Sequence, residues 1–133
     1  MGKIIINIDV PDLTAAIGFY CAALGLEHSR TLDDDTVELT GGSSTIYLLQ
    51  KDSGTPAVKT PPIDRNYGRH WTPIHFDLVV PDVDAAGKRA IAAGARPETG
   101  HIDWRGSRCL SFSDPFGHGF CFIQFEQGQS YSD

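Results

Sequence analysis

The sequence predicts an α+β fold made of two tandem β-α-β-β-β units, and three observations predict it. The first is a repeat: IINIDVPDLTAA at 5–16 returns as HFDLVVPDVDAA at 75–86, with Val10, Pro11, Asp12, Ala15 and Ala16 matched in register by Val80, Pro81, Asp82, Ala85 and Ala86. The second is that each copy opens with period-two alternation and passes to helical spacing directly after its Val-Pro-Asp. The third is that the period returns to two after each helix, punctuated by turn-forming clusters at 33–35, 41–44 and 114–119.

Taken in order, residues 4–10 place Ile4, Ile6, Ile8 and Val10 on one strand face and Ile5, Asn7 and Asp9 on the other. In the copy, Phe76, Leu78 and Val80 form the apolar face, while His75, Asp77 and Val79 point the opposite way. After each strand a proline ends the ladder and an aspartate, Asp12 or Asp82, is placed to cap a helix N-terminus. The first helix carries Leu13, Ala16, Ile17, Tyr20 and Leu24 at helical spacing and stops at Gly25. The second carries Val83, Ala86, Ala90 and Ile91 and stops at Gly94. Strands are then expected at 26–31, 35–40 and 45–50 in the first unit, and at 95–99, 107–113 and 119–126 in the second. The expectation is one domain over 1–133: a first unit at 1–50, a connecting loop at 51–73, a second unit at 74–126 and a tail at 127–133. The loop holds four of the eight prolines and shows no periodicity. Loops of this length inside a domain are usually functional, so it is placed to lid a site.

The composition narrows the function. A chain of 133 residues that is 41% hydrophobic and 21% charged is that of an ordinary globular protein. A net charge of -6 with 11 lysines and arginines argues against nucleic acid as a partner. No apolar run approaches a membrane span, and the start MGKIIINIDV does not read as a signal peptide, so the expected location is the cytoplasm. Cys21, Cys109 and Cys121 are odd in number and show no CxxC spacing, so neither a disulfide framework nor a structural zinc site is indicated.

VPDLTAAIGFYCAALGLE in the first half, with HFDLVVPDVDAAGKRAIAAGA and SFSDPFGHGFCFIQF in the second, resembles the vicinal oxygen chelate superfamily. That superfamily contains glyoxalase I, bleomycin-resistance proteins, fosfomycin-resistance enzymes and extradiol dioxygenases. The resemblance covers nearly the whole chain and implies that the two units curl into a cupped mixed β-sheet, the glyoxalase/bleomycin-resistance fold, lined by the mixed strand faces. Many members hold a divalent metal in the cup, and members commonly form homodimers, so a homodimer that binds a small molecule is expected. Carried over by position, the family's first-strand ligand falls on Ile5, which has no lone pair. The second-unit ligand falls on His75, and the usual last-strand glutamate falls on Cys121. A fourth position lies near Tyr47 or Leu49, neither a metal ligand. Two donors fall short of the three protein ligands typical of a catalytic site. The expectation is therefore no metal cofactor, with the cup binding its ligand directly.

His75 is the candidate acid or base, since imidazole titrates near neutrality, with Asp77 as its partner carboxylate. The plainer reading makes both residues pocket lining. Asn7, Ile123 and Phe125 are expected to line the same cup. Cys121 is expected there too, as a small buried residue more readily than as a nucleophile, because no neighbouring cation is evident to activate it. Trp71, with Tyr67, Arg65, Arg69 and His70, and Trp104, with Arg105, place aromatics beside cations. Such pairs suit a planar or anionic ligand, or equally a subunit interface. His118 fits a turn, and His28 and His101 carry no constellation. Three readings stand open: a binding protein with a metal-free cup; a lyase, isomerase or dioxygenase using His75 as acid, base or residual ligand of a divalent metal; and a dimerisation module without a ligand.

Overall fold

The computed structural model describes residues 2–128 and 130–133. The described residues form, in chain order, β1 (Ile5–Val10), α1 (Leu13–Leu24), β2 (Glu27–Leu32), β3 (Thr36–Thr40), β4 (Thr45–Gln50), β5 (Pro56–Val58) and β6 (Ile63–Asp64). They continue with β7 (Phe76–Val79), α2 (Val83–Ala93), β8 (Arg96–Pro97), β9 (Ile102–Trp104), β10 (Ser107–Ser113) and β11 (Gly119–Phe125). The chain divides into two compact units, 1–68 and 69–133, and the boundary falls inside the segment that lacks periodicity. Both units are mixed α+β. Among the described residues, no helix is long and apolar enough to cross a membrane.

In the first unit the sheet runs β1-β4-β3-β2, with β1 parallel to β4 and the other pairs antiparallel. The parallel pair requires a crossover, which α1 helps to supply. Asp12 caps α1 by accepting from Ala15 N at 3.1 Å, and Gly25 ends it at φ 68°, a left-handed conformation that glycine adopts without steric cost. Leu13, Ala16, Phe19, Tyr20 and Ala23 of α1 are buried, as are Ile8, Val10, Val37, Leu39, Ile46 and Leu48 of the sheet. The buried stripe is thus rotated from the expected one, with Phe19 and Ala23 inside where Ile17 and Leu24 are only half-buried.

The second unit repeats the plan as β7-β11-β10-β8, with β7 parallel to β11 and β9 also paired to β10. Asp82 caps α2 through Asp84 N and Ala85 N, and Gly94 ends it at φ 118°. Val83, Ala86 and Ala90 are buried, and the apolar sheet face is an aromatic cluster. There Phe120 stacks on Phe76 and Phe112, each at 5.8 Å, and meets Phe122 edge-on at 5.5 Å. Ile91, expected inside, is 49% exposed. In both units a glutamine at the end of the sheet caps the helix a second time: Gln50 Oε1 accepts from Leu13 N at 2.9 Å, and Gln124 Oε1 from Val83 N at 2.8 Å.

Three elements differ from expectation. The 51–73 segment carries the small β5–β6 hairpin, anchored by Arg65, whose Nε donates to Asp9 Oδ2 at 2.8 Å and whose NH1 donates to Pro56 O at 2.7 Å. The expected strand at 95–99 shrinks to β8, because Pro97 has no N–H and beyond it Thr99 Oγ1 takes the N–H of Ser111. β9 was not expected, since three residues are too few to display a period of two.

Candidate functional site

Register assigns the side chains of the second unit's sheet to faces, because directly paired residues share a face and neighbours along a strand alternate. Phe76, Leu78, Leu110, Phe112, Phe120 and Phe122 take the aromatic face. On the other face one row reads Asp77–Cys121–Ser111, the next Val79–Ile123–Cys109–Ile102, and the next Phe125–Ser107–Trp104. His75 stands two residues before Asp77 and so points to that same face. Parity thus puts His75, Asp77, Cys121, Ile123, Phe125 and Trp104 together on one surface, as the alternation of the sequence implies.

The structure concentrates chemistry at one end of this surface. His75 Nε2 lies 3.6 Å from Asp77 Oδ1, with the two side chains 46% and 38% exposed. Cys121, beside Asp77 in register, is buried, and its Sγ contacts Ser111 Oγ at 3.3 Å. Burial pushes the Cys121 thiol up to about 12; the Ser111 contact works against the rise, while Cys109 and Asp77 add to it. Cys121 is therefore a neutral thiol at physiological pH, which argues against a nucleophile. Ile123 is buried in the next row. Phe125 and Trp104 lie at the far end, four residues along β11 from Cys121, or about 13 Å at ~3.3 Å per residue.

Trp71 walls the polar end. His70 pairs with the 117–119 turn, donating from its N to Gly117 O and accepting from Gly119 N at 2.8 Å. The pairing lays the indole of Trp71 against Gly119 so closely that a Cβ there would meet ring atoms at 2.4–2.8 Å. The same ring meets His75 edge-on at 5.3 Å and carries the guanidinium of Arg69 at 4.7 Å, while Arg69 is held by Glu98. Trp71 Nε1 is buried without a hydrogen-bond partner among the described residues. His118 is fixed by Asp114: its Nδ1 lies 2.8 Å from Oδ2, and its backbone N donates to Oδ1 at 2.8 Å. That locks the turn ahead of β11.

In the first unit, the places of Asp77, Cys121 and Ser111 are taken by Asn7, Tyr47 and Glu38. Here Tyr47 and Glu38 are committed to each other. Glu38 accepts from the Tyr47 hydroxyl at 2.6 Å, from the Ser29 hydroxyl at 2.7 Å, and from two nitrogens of Arg30, each at 3.2 Å. Those bonds, Ser29 and Tyr47 foremost and then Arg30, hold its carboxyl down at about 2. Asp9 is paired to Arg65, and the Tyr67 hydroxyl donates to Lys51 O at 2.7 Å. The loop cluster read from the sequence therefore divides: Arg65 and Tyr67 serve the first unit, and Arg69, His70 and Trp71 the second.

The sequence reading found two metal donors. The parallel register of β7 on β11 adds Asp77, and His75, Asp77 and Cys121 bring one ligand atom each to within 4.8 Å of one another. A tetrahedral zinc with bonds of about 2.0–2.3 Å separates its donors by roughly 3.3–3.7 Å, a spacing that the 3.6 Å between His75 and Asp77 fits, with Cys121 inside the 4.8 Å that spans all three. An ion there would supply Lewis acidity to a bound oxygen. The donor set of one imidazole, one carboxylate and one thiol suits zinc better than magnesium or calcium.

Glu38, Ser111, Gly119, Gln50 and Gln124 were not singled out from the sequence. Glu38 and Tyr47 had a signal, both standing at polar-face parity in neighbouring strands; Gln50 and Gln124 had one in their matched positions at the strand ends. Gly119 had none, because only the folded chain brings Trp71 to it.

The glyoxalase-like domain family matches residues 5–123. No curated protein matches the chain in sequence. Among solved structures, a glyoxalase/bleomycin resistance protein/dioxygenase family enzyme from Burkholderia phytofirmans superposes with a TM-score of 0.75 at 19% identity, over 91% of this chain and 96% of that one. A fosfomycin resistance protein from Listeria monocytogenes gives 0.71 at 18% identity, over 93% of each chain. A lactoylglutathione lyase from Agrobacterium tumefaciens gives 0.65 at 24% identity, over 92% of each. At these identities the likeness establishes the fold, and the family model establishes membership: the chain belongs to the glyoxalase-like domain family.

Proposed function

We propose that the protein binds a small molecule on the second unit's polar sheet face, anchoring the ligand's oxygen atoms at His75 and Asp77 against the Trp71 wall, without the family's usual metal arrangement. The observation that carries this reading is the convergence of His75, Asp77 and Cys121 at one end of the face. In the first unit Ile5 stands where His75 does, and the Tyr47 hydroxyl, in the place of Cys121, is bonded to Glu38 at 2.6 Å. His75 and Asp77 together offer a donor and an acceptor to a ligand and, 3.6 Å apart, can exchange a proton with it. Trp71 Nε1–H is buried without an acceptor among the described residues, an unmet bond at the wall of this face. Backbone-amide and indole shift mapping with oxalate and diacetyl tests this. The expected result is perturbation at His75, Asp77 and the Trp71 indole that is lost in His75→Ala; perturbation that survives this substitution would reject the assignment.

The same convergence favours a second reading, in which the three side chains hold a divalent ion and the protein is an enzyme. Cobalt(II) titration separates the two. A thiolate-to-cobalt band in the near ultraviolet, abolished by Cys121→Ser, supports the metal reading. No such band and no ion retained through gel filtration supports direct binding.

A further inference from the structure

At the end of the β10–β11 ladder farthest from His75, the β9–β10 hairpin closes on two residues, Arg105 and Gly106, with φ of 47° and 73°. Two positive φ values in a two-residue hairpin loop are the mark of a type I′ turn, a place that favours asparagine, aspartate and glycine. An arginine stands there against the steric preference of its backbone, and such departures concentrate where a side chain is needed for a task. The Arg105 guanidinium lies 5.3 Å from the ring centre of Trp104, and its NH1 donates to Ser132 O at 3.3 Å. Trp104 is 58% exposed yet held in place, edge-on to Tyr131 at 4.9 Å, which in turn meets Phe125 at 5.2 Å. An exposed aromatic packed on Tyr131 and capped by a cation is thus displayed at a turn.

Beside it lies a cleft of about 500 Å³, bordered by Asp103, Trp104, Arg105, Arg108, Gln124 and Glu126. Arg108 and Asp103 neutralise each other in a two-point pair at 2.8 and 3.0 Å. Gln124 Oε1 is committed to the α2 N-terminus. Among the described residues, Arg105 and Glu126 have no ion-pair partner within 4.0 Å, although Glu126 lies within electrostatic reach of Arg108. The Glu126 carboxylate sits at the same turn, 3.8 Å from where a Cβ on Gly106 would be. A purely anionic ligand would gain Arg105 but meet Glu126, and a purely cationic one the reverse. A ligand carrying both charges can meet Arg105 and Glu126 at once, which neither singly charged counterpart can do.

We propose that this cleft binds a zwitterionic small molecule of the α-amino-acid class, its carboxylate on Arg105, its ammonium on Glu126 and its apolar side chain on the face of Trp104. The site is separate from the His75 row, and the proposal does not rest on how that row is used. The test is amide shift mapping with L-phenylalanine and two half-charged counterparts, 3-phenylpropanoate and 2-phenylethylamine. L-phenylalanine is expected to shift Trp104, Arg105 and Glu126, and each counterpart to bind about tenfold more weakly or worse, as loss of a charge-assisted contact implies. Arg105→Asn, which retains a residue suited to the turn, should weaken L-phenylalanine about tenfold while leaving 2-phenylethylamine unchanged. Glu126→Gln should weaken L-phenylalanine and leave 3-phenylpropanoate unchanged. His75→Ala should bind L-phenylalanine as the parent does. Equal binding of all three compounds, an undiminished affinity in Arg105→Asn, or no shift at Trp104 at about 20 mM ligand would overturn the proposal. So would loss of binding in His75→Ala, which would move the signal to the other site.

Discussion

The two units run the same strand order and the same double helix cap, yet they treat one row of positions in opposite ways. In the first, Asn7, Tyr47 and Glu38 stand side by side, and Glu38 is saturated by Tyr47, Ser29 and Arg30. In the second, Asp77, Cys121 and Ser111 take those places and His75 joins them, with the imidazole and carboxylate exposed and unsaturated. A carboxylate whose bonds are all internal, as at Glu38, stabilises its sheet. A row left open has little to do for stability and much to offer a ligand. The repeat therefore supplies its own control: equal topology with unequal commitment, and the uncommitted copy is the candidate site.

Each way of breaking this comparison has an expected size. The largest effect is kinetic and falls on Cys121. A thiol pushed up to about 12 from an ordinary value of 9.0 holds roughly a thousandfold less thiolate at pH 8. Alkylation by iodoacetamide followed by mass spectrometry should therefore modify Cys121 last of the three cysteines in the folded protein; early modification would show that the row is neither buried nor neutral.

Next comes Gly119→Ala. Thr45 stands two residues before Tyr47, where Gly119 stands two before Cys121, so only the second unit has cleared a side chain to seat an indole. The added methyl evicts Trp71, and overpacking of this kind costs about 1–3 kcal/mol. Urea denaturation should register the loss, with a shift in tryptophan emission, whereas Thr45→Ala should leave emission untouched.

A smaller effect belongs to Glu38. Its carboxyl is depressed in the folded state, from 4.5 to about 2, so its contribution is fully present above pH 4.5 and is lost as the pH falls from there toward 2. Glu38→Gln should flatten the pH dependence of stability within that window. An unchanged slope would mean that the network carries no linkage to folding.

Much of this was legible in the chain. The repeat located both helices and caps, and strand parity put His75 and Asp77 on the same sheet face, because alternation is a property of the backbone alone. What stayed hidden was pairing. That Asp77 lies beside Cys121 depends on the register of a parallel pair closed through a helix, and one sequence does not specify which residue of β11 faces β7. The metal count of two rather than three follows from that. The Glu38 network was hidden for a related reason, since Arg30 reaches it across a bulge between His28 and Arg30. The β5–β6 hairpin and β9 were too short to carry a period, and Trp71 on Gly119 joins residues nearly fifty apart.

The central claim, that one row is spent on the fold and the other held for a ligand, is tested most directly by comparing the thermal midpoints of Glu38→Gln and Asp77→Asn at pH 7, each against the parent chain. The account predicts that Glu38→Gln lowers the midpoint, while Asp77→Asn changes stability by no more than about 0.5 kcal/mol, as at an uncommitted surface position. A marked loss in Asp77→Asn with none in Glu38→Gln would contradict it.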